Sequence, residues 1–125
     1  MAEGYAYAVL RVVPDVARGE FVNVGAVVYC EARGFLGVAV ELDEARVRAL
    51  SPDVDVATLR ACLDAAVRAC EGEGPIGALS LRERFRWVTA PSDTMVQPSP
   101  VHAGLCDDPR AALERVMNRM VRRRG

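Results

Sequence analysis

The chain contains no lysine; all sixteen of its basic residues are arginine. Arginine therefore does the surface work that lysine shares elsewhere, and any one Arg says little about a site. There is one histidine, His102, one tryptophan, Trp87, and one isoleucine, Ile76. The four cysteines, Cys30, Cys62, Cys70 and Cys106, include no C-x-x-C pair, which removes the common redox and zinc-ribbon spacings. If Cys62 and Cys70 share a helix they stand about 12 Å apart by helical rise, beyond disulfide reach. A zinc site would have to join His102 and Cys106 to two remote cysteines, so neither metal nor cofactor is expected. No apolar run approaches the ~20 residues of a membrane helix. The N-terminus lacks a basic leader and runs directly into a strand pattern, so a cytoplasmic protein without signal peptide is expected. Sixteen basic against seventeen acidic residues leave a net charge of −1, and with a pI near 5.8 the molecule is no general match for nucleic acid.

What remains is a folded composition. Hydrophobic residues make up 51% of 125 positions and charged ones 26%, enough for one domain over residues 1–125 with its own core. Tyr5–Val13 alternates as a strand, Pro14–Glu20 turns, and Phe21–Cys30 forms a second strand whose apolar face runs Val22, Val24, Ala26, Val28, Cys30. Glu31–Gly34 reads as a short hairpin connection, with Gly34 suited to positive φ, and Phe35–Leu42 completes an antiparallel meander. Helices follow. Asp43 or Glu44 opens a short one to Leu50, and Asp55 caps a longer one to about Glu71 with Leu59, Cys62, Leu63, Ala66, Val67 and Cys70 inward. On its wet side Arg60, Asp64 and Arg68 are spaced for i,i+4 pairs. Gly72–Gly77 reads as a flexible linker. Asp108 caps a final helix with Pro109 at its first position and Leu113, Val116, Met117, Met120 and Val121 as its stripe. The expectation is α+β: a three-stranded meander packed in two layers against two or three helices, with a proline-rich extended segment before the C-terminal helix.

The segment Ser80–Pro109 concentrates Trp87, His102, three arginines and four prolines, and any site is expected there. Ser80–Glu83 matches a capping box, which favours a helix, although Arg82, Arg84 and Arg86 also alternate at strand period. Gln97–Val101, stiffened by Pro98 and Pro100, is expected to be extended and to run along a sheet edge or across a face. His102 is expected to hold it as a partly buried, hydrogen-bonded strut. Arg84, Arg86, Trp87, Asp93, Gln97 and His102 are the candidate contacts for a ligand or partner. Ser99, His102 and Asp107 are the weak catalytic candidates, but no G-x-S-x-G turn surrounds Ser99. Arg11, Asn23 and Tyr29 mark a polar second sheet face, expected either to lie under Thr94–Cys106 or to bind a ligand. The basic tail Arg119, Arg122, Arg123 and Arg124 is explained by the helix dipole before nucleic-acid binding.

With YAVLRVVPD (Tyr7–Asp15), GEFVNVGAVVYC (Gly19–Cys30), RFRW (Arg84–Trp87) and QPSPVHAGLCDDP (Gln97–Pro109), the chain resembles the bacterial domain-of-unknown-function 3037 family. Its lysine-free, Arg-rich composition fits an actinobacterial-type member. Where the family reads TAPRST, this chain has Thr89–Thr94 with Ser92 and Asp93, which weakens an anion site at that loop. The resemblance implies no activity. Through gene neighbourhood it implies an accessory role beside a HipA-like kinase. Two functions are carried forward: a non-enzymatic interaction protein with that kinase as partner, and a small enzyme or binding domain for a phosphorylated or anionic ligand held by Arg84, Arg86, His102 and Asp107.

Overall fold

A computed structural model describes residues 1–122. Three antiparallel strands form the expected meander: β1 (Glu3–Val12), β2 (Val22–Cys30) and β3 (Phe35–Val40). The first connection contains a 3₁₀ turn at Val16–Arg18 capped by the Asp15 carboxylate; the second turns over Glu31–Arg33 into Gly34 at φ 58°. Asp43 caps α1 (Glu44–Leu50), Asp55 caps α2 (Val56–Cys70), and Ser80 caps α4 (Leu81–Val88). The capping box is closed on the side-chain level, because Ser80 Oγ accepts from the Glu83 amide and donates to its carboxylate. Ser80–Ala90 is thus helical through most of its length, and the arginines do not form a comb.

Between α2 and α4 the expected linker is a built corner. Gly74–Gly77 forms the single turn α3. Gly77 lies so close to Gly72 that a Cβ on it would sit 2.2 Å from the Gly72 carbonyl carbon. Along α2, Arg60 pairs across to Glu44 of α1 and not with Asp64.

The extended segment supplies two more strands. β4 (Val96–Pro98) pairs antiparallel with Leu10–Val12, and β5 (His102–Cys106) pairs antiparallel with Glu3–Tyr7. Both lie on the same outer edge of β1, giving the order β3-β2-β1-β4 with β5 beside β4's end. Thr94–Cys106 therefore widens the sheet and does not cover its second face. Between the two strands Pro100 can offer no N–H. Ser99 closes the break: its amide donates to the Val9 carbonyl at 2.7 Å, and the Val9 amide donates to Ser99 Oγ at 2.8 Å. Ser99 is a buried polar residue, and among the described residues His102 is exposed with only a tilted ring contact to Tyr7. The strut is the serine. A proline-flanked strand leaves a backbone donor on its neighbour, and a short hydroxyl reaches it where an imidazole at the strand start cannot.

A bulge at Val24 alters the faces of β2. Leu10 pairs Gly25 but Arg11 pairs Asn23, so Val24 is the extra residue and the alternation shifts by one. Val22 and Val24 consequently pack with Val12, Val47, Leu59 and Leu63, whereas Ala26 and Val28 pack with Val9, Leu113, Val116 and Met117 on the opposite side. The expected single apolar face of β2 is split between two faces. Ala8, Leu10 and Val27 meet α2 and α4 through Ala66, Cys70, Phe85 and Val88. The C-terminal helix α5 (Pro109–Val116), continued by a π-helical turn over Met117–Val121, covers the other side. The architecture is α+β in three layers, a correction to the two expected, because the apolar run of β2 is buried on both faces. Met120 lies outside the buried stripe at 40% exposure, since the π turn rotates it outward.

Ser99→Ala is expected to lower stability by about 1–3 kcal/mol, because the buried Val9 amide loses its acceptor. His102→Ala should stay within about 0.5 kcal/mol, as an exposed side chain. Urea denaturation of the two variants, together with faster hydrogen exchange at Val9 in the serine variant, checks the assignment; a larger loss for His102→Ala would reverse it.

Candidate functional site

α4 and the loop after it shape a mainly apolar cleft. Phe85 and Val88 turn inward at i and i+3, and Phe85 stacks on Tyr29 at 5.4 Å. This geometry leaves Trp87 on the outer side of the helix, 46% exposed. Its indole borders a cleft of about 340 Å³ between α2 and the Ala90–Pro98 strap, floored by Leu10, Cys62, Ala66, Val88 and Val96. The small side chains of Cys62, Ala65 and Ala66 on α2 keep it open. The strap is stiffened by Pro91 and Pro98 and held by local bonds: Thr94 accepts from and donates within its turn through Ser92 and the Val96 carbonyl. A second hollow of about 300 Å³ adjoins it across Pro91, Ser92 and Pro98.

The residues singled out from the sequence distribute as follows. Trp87 lines the cleft; Arg86, its neighbour in α4, does not line it, and its side chain is exposed with no partner among the described residues. Arg84, expected to be a contact, faces the protein: its Nε donates to the Leu79 carbonyl at 3.1 Å and its Nη1 to the Cys70 carbonyl at 3.1 Å. It caps the end of α2 and ties the α3 corner to α4. Gln97 is engaged with the Thr94 carbonyl at 3.2 Å, steadying the strap. Asp93 is exposed at the strap's tip.

His102 opens β5 and Asp107 follows its end, so the two backbones are roughly 17 Å apart along the strand. Asp107 is exposed beside the N-terminal amine, at 4.0 Å. Ser99 is consumed by the backbone of Val9 and by the Pro100 carbonyl. Arg84, Arg86, His102 and Asp107 do not gather around one pocket.

The second face is also divided. Arg11 and Asn23 are register partners on the side of the C-terminal helix, where Arg11 lies over the Phe21 ring at 4.1 Å and Asn23 Nδ2 donates to the Met120 carbonyl. Tyr29 belongs to the opposite face, against Phe85. Of the basic tail, Arg122 is bound to Glu41 and Glu114; Arg123 and Arg124 lie outside the described residues. No three His, Cys, Asp or Glu side chains gather in a metal-holding group among the described residues.

The family model described as protein of unknown function (DUF3037) matches residues 7–121 of this chain. The chain belongs to the DUF3037 family. Neither the curated proteins nor the solved structures contain a match to it. All four segments that carry the resemblance fall within the matched range, and in this DUF3037 member they have distinct structural duties. YAVLRVV is the central strand, RFRW combines the Phe85 anchor with the exposed Trp87, and QPSPVHAGLC is the interrupted edge. No helix of the described residues is long and apolar enough to cross a membrane.

The cleft was legible only by its rim. Trp87 stands out in the sequence as the lone indole, whereas Cys62 and Ala66 read there as ordinary helix-stripe residues and Ala65 carries no signal; the cleft needs α4 and the strap beside them.

Behind the cleft, burial pushes the Cys70 thiol up to about 11, overriding the opposing pull of the Arg84 guanidinium. The unfolded thiol ionises near 9.0, so the folded chain retains a proton that the unfolded chain gives up. Stability attached to this group is complete below that value and is lost as pH rises from there towards the folded value. Thermal melts across the alkaline range are expected to fall over this window, less steeply for Cys70→Ala. In alkylation of the native protein near neutral pH, the half-buried Cys62 should be labelled well before Cys70.

Proposed function

We propose that this DUF3037 member is a non-enzymatic, cytoplasmic accessory protein whose α4–strap cleft receives a protein partner, a HipA-like kinase. The observation that carries the reading is Trp87: a large ring left 46% exposed at the mouth of an apolar cleft. Buried or half-buried aromatics at a hollow of this kind are the usual anchors of interfaces. The chemistry of the rim specifies the complement. The floor takes one apolar side chain, and the unpaired Arg86 beside Trp87 takes an acidic residue next to it. The stiffness of the strap supports the same reading, since a preformed wall loses little conformational freedom on binding. Arg84, turned inward as a helix cap, supports binding through Trp87 ahead of an arginine clamp on a phosphate.

Co-expression with a HipA-like kinase from the same genome, followed by size-exclusion chromatography, is expected to give one co-eluting peak. Trp87→Ala should weaken the complex by about 2 kcal/mol or more, roughly thirty-fold in Kd. Arg86→Glu should weaken it less and mainly by slowing association. Independent elution of the two wild-type proteins would end the proposal.

A further inference from the structure

The free edge of β5 is distinct from the cleft. β1 takes one side of the strand, and no strand takes the other among the described residues. Alternate residues of an edge strand aim their N–H and C=O groups outward, and natural edges are usually shielded by charges, prolines or bulges. His102–Cys106 carries no Lys, Arg, Asp, Glu or Pro. It is bounded by Pro100 on one side and by the cap of α5 on the other, which limits any added pairing to about five residues.

Two large apolar residues stand out along this edge, Leu105 at 73% exposure and Val101 at 49%. Leu105 is paired with Gly4 of β1, which offers no side chain to cover it. Each lies two residues from Ala103, one on either side, and all three share a face by strand alternation. On the opposite face Tyr5 lies across Gly104, so closely that a Cβ there would meet its ring and hydroxyl at 2.8 Å. The Tyr5 hydroxyl thus reaches over the edge strand, and neither it nor the His102 ring has a hydrogen-bond partner among the described residues.

We propose that the β5 edge pairs antiparallel with the β5 edge of a second copy of this chain, about a two-fold axis at Ala103. This register sets Leu105 against Val101 of the second copy, and the same contact recurs on the other side of the axis. It sets His102 opposite the bare Gly104 of the second copy, where the Tyr5 hydroxyl of that copy is waiting to accept or donate a hydrogen bond. No charged side chain meets a like charge in the five-residue ladder. The edge is self-complementary in hydrogen bonding, in apolar contact and in its aromatic face. The two sheets become one continuous sheet with β3 at both ends.

Light scattering after size exclusion, on the full chain, is expected to give twice the 13.5 kDa chain mass. Leu105→Arg should return the mass to that of one chain with the circular dichroism spectrum unchanged, since the side chain is mostly in solvent. Should that variant fold poorly, cysteine cross-linking decides. Ala103→Cys is expected to form a dimer-linking disulfide on oxidation, and Leu105→Cys is not, because position 105 opposes 101. A wild-type chain that remains monomeric into the millimolar range overturns the proposal. So does a dimer whose mass survives Leu105→Arg, or one that Leu105→Cys links and Ala103→Cys does not.

Discussion

The outer ladder of β1 is the constraint on which the rest of the fold rests. β1 is the middle strand, and each of its buried amides and carbonyls needs a partner on one side or the other. β2 satisfies the inner side through seven register pairs and one bulge, but the outer side is met by a segment that two prolines prevent from being a continuous strand. Ser99 bridges the gap by offering both a backbone donor and a hydroxyl acceptor to the same residue, Val9. With that bridge in place β4 and β5 share one edge. β4 carries the strap towards α4, and β5 carries the chain to the cap of α5. The helix layers on the two faces are therefore joined through a seam one residue wide.

The bulge at Val24 is the second determinant. Without it, strand alternation would direct Val22, Val24, Ala26 and Val28 to a single face. The extra residue sends Val22 and Val24 to α1 and α2 while Ala26 and Val28 meet α5. Both faces then require cover, and the C-terminal helix supplies the second. A consequence is that α1, α2 and α4 share one side of the sheet with the strap. The space between α2, α4 and the strap, left by Cys62, Ala65 and Ala66, is the cleft at Trp87.

Polar side chains that attract attention in the sequence are largely spent on backbone. Arg84 satisfies carbonyls at a helix end and in a corner, Gln97 holds its own strap, Asn23 binds the C-terminal helix, and Ser99 replaces a missing ladder bond. Each choice follows from the cost of leaving a main-chain group without a partner, which exceeds the modest net gain of an exposed ion pair. The residues left over are exposed ones: Trp87, Arg86, Leu105 and His102.

Local rules were enough for most of the elements, though not for α3, which reads as a linker, or the π turn at the C-terminus. Alternation marked the meander, Asp43, Asp55, Ser80 and Asp108 marked four helix starts, and Gly34 marked the tight turn, because caps, turns and periodicity act within a few residues. The family was equally plain in the order of its motifs. Three matters were settled only by the tertiary structure. A strand pattern cannot show that residue 24 is looped out, since the bulge exists only against the register of a partner. Pro98 and Pro100 announced an extended chain, but which polar side chain anchors it depends on where Val9 lies, ninety residues away. The cleft needs α2, α4 and the strap side by side, and small residues on a helix become a floor only when something else forms the walls. Sequence determined the pieces and their ends through short-range stereochemistry; long-range hydrogen-bond satisfaction and packing decided which faces were covered and which side chains were left free to bind.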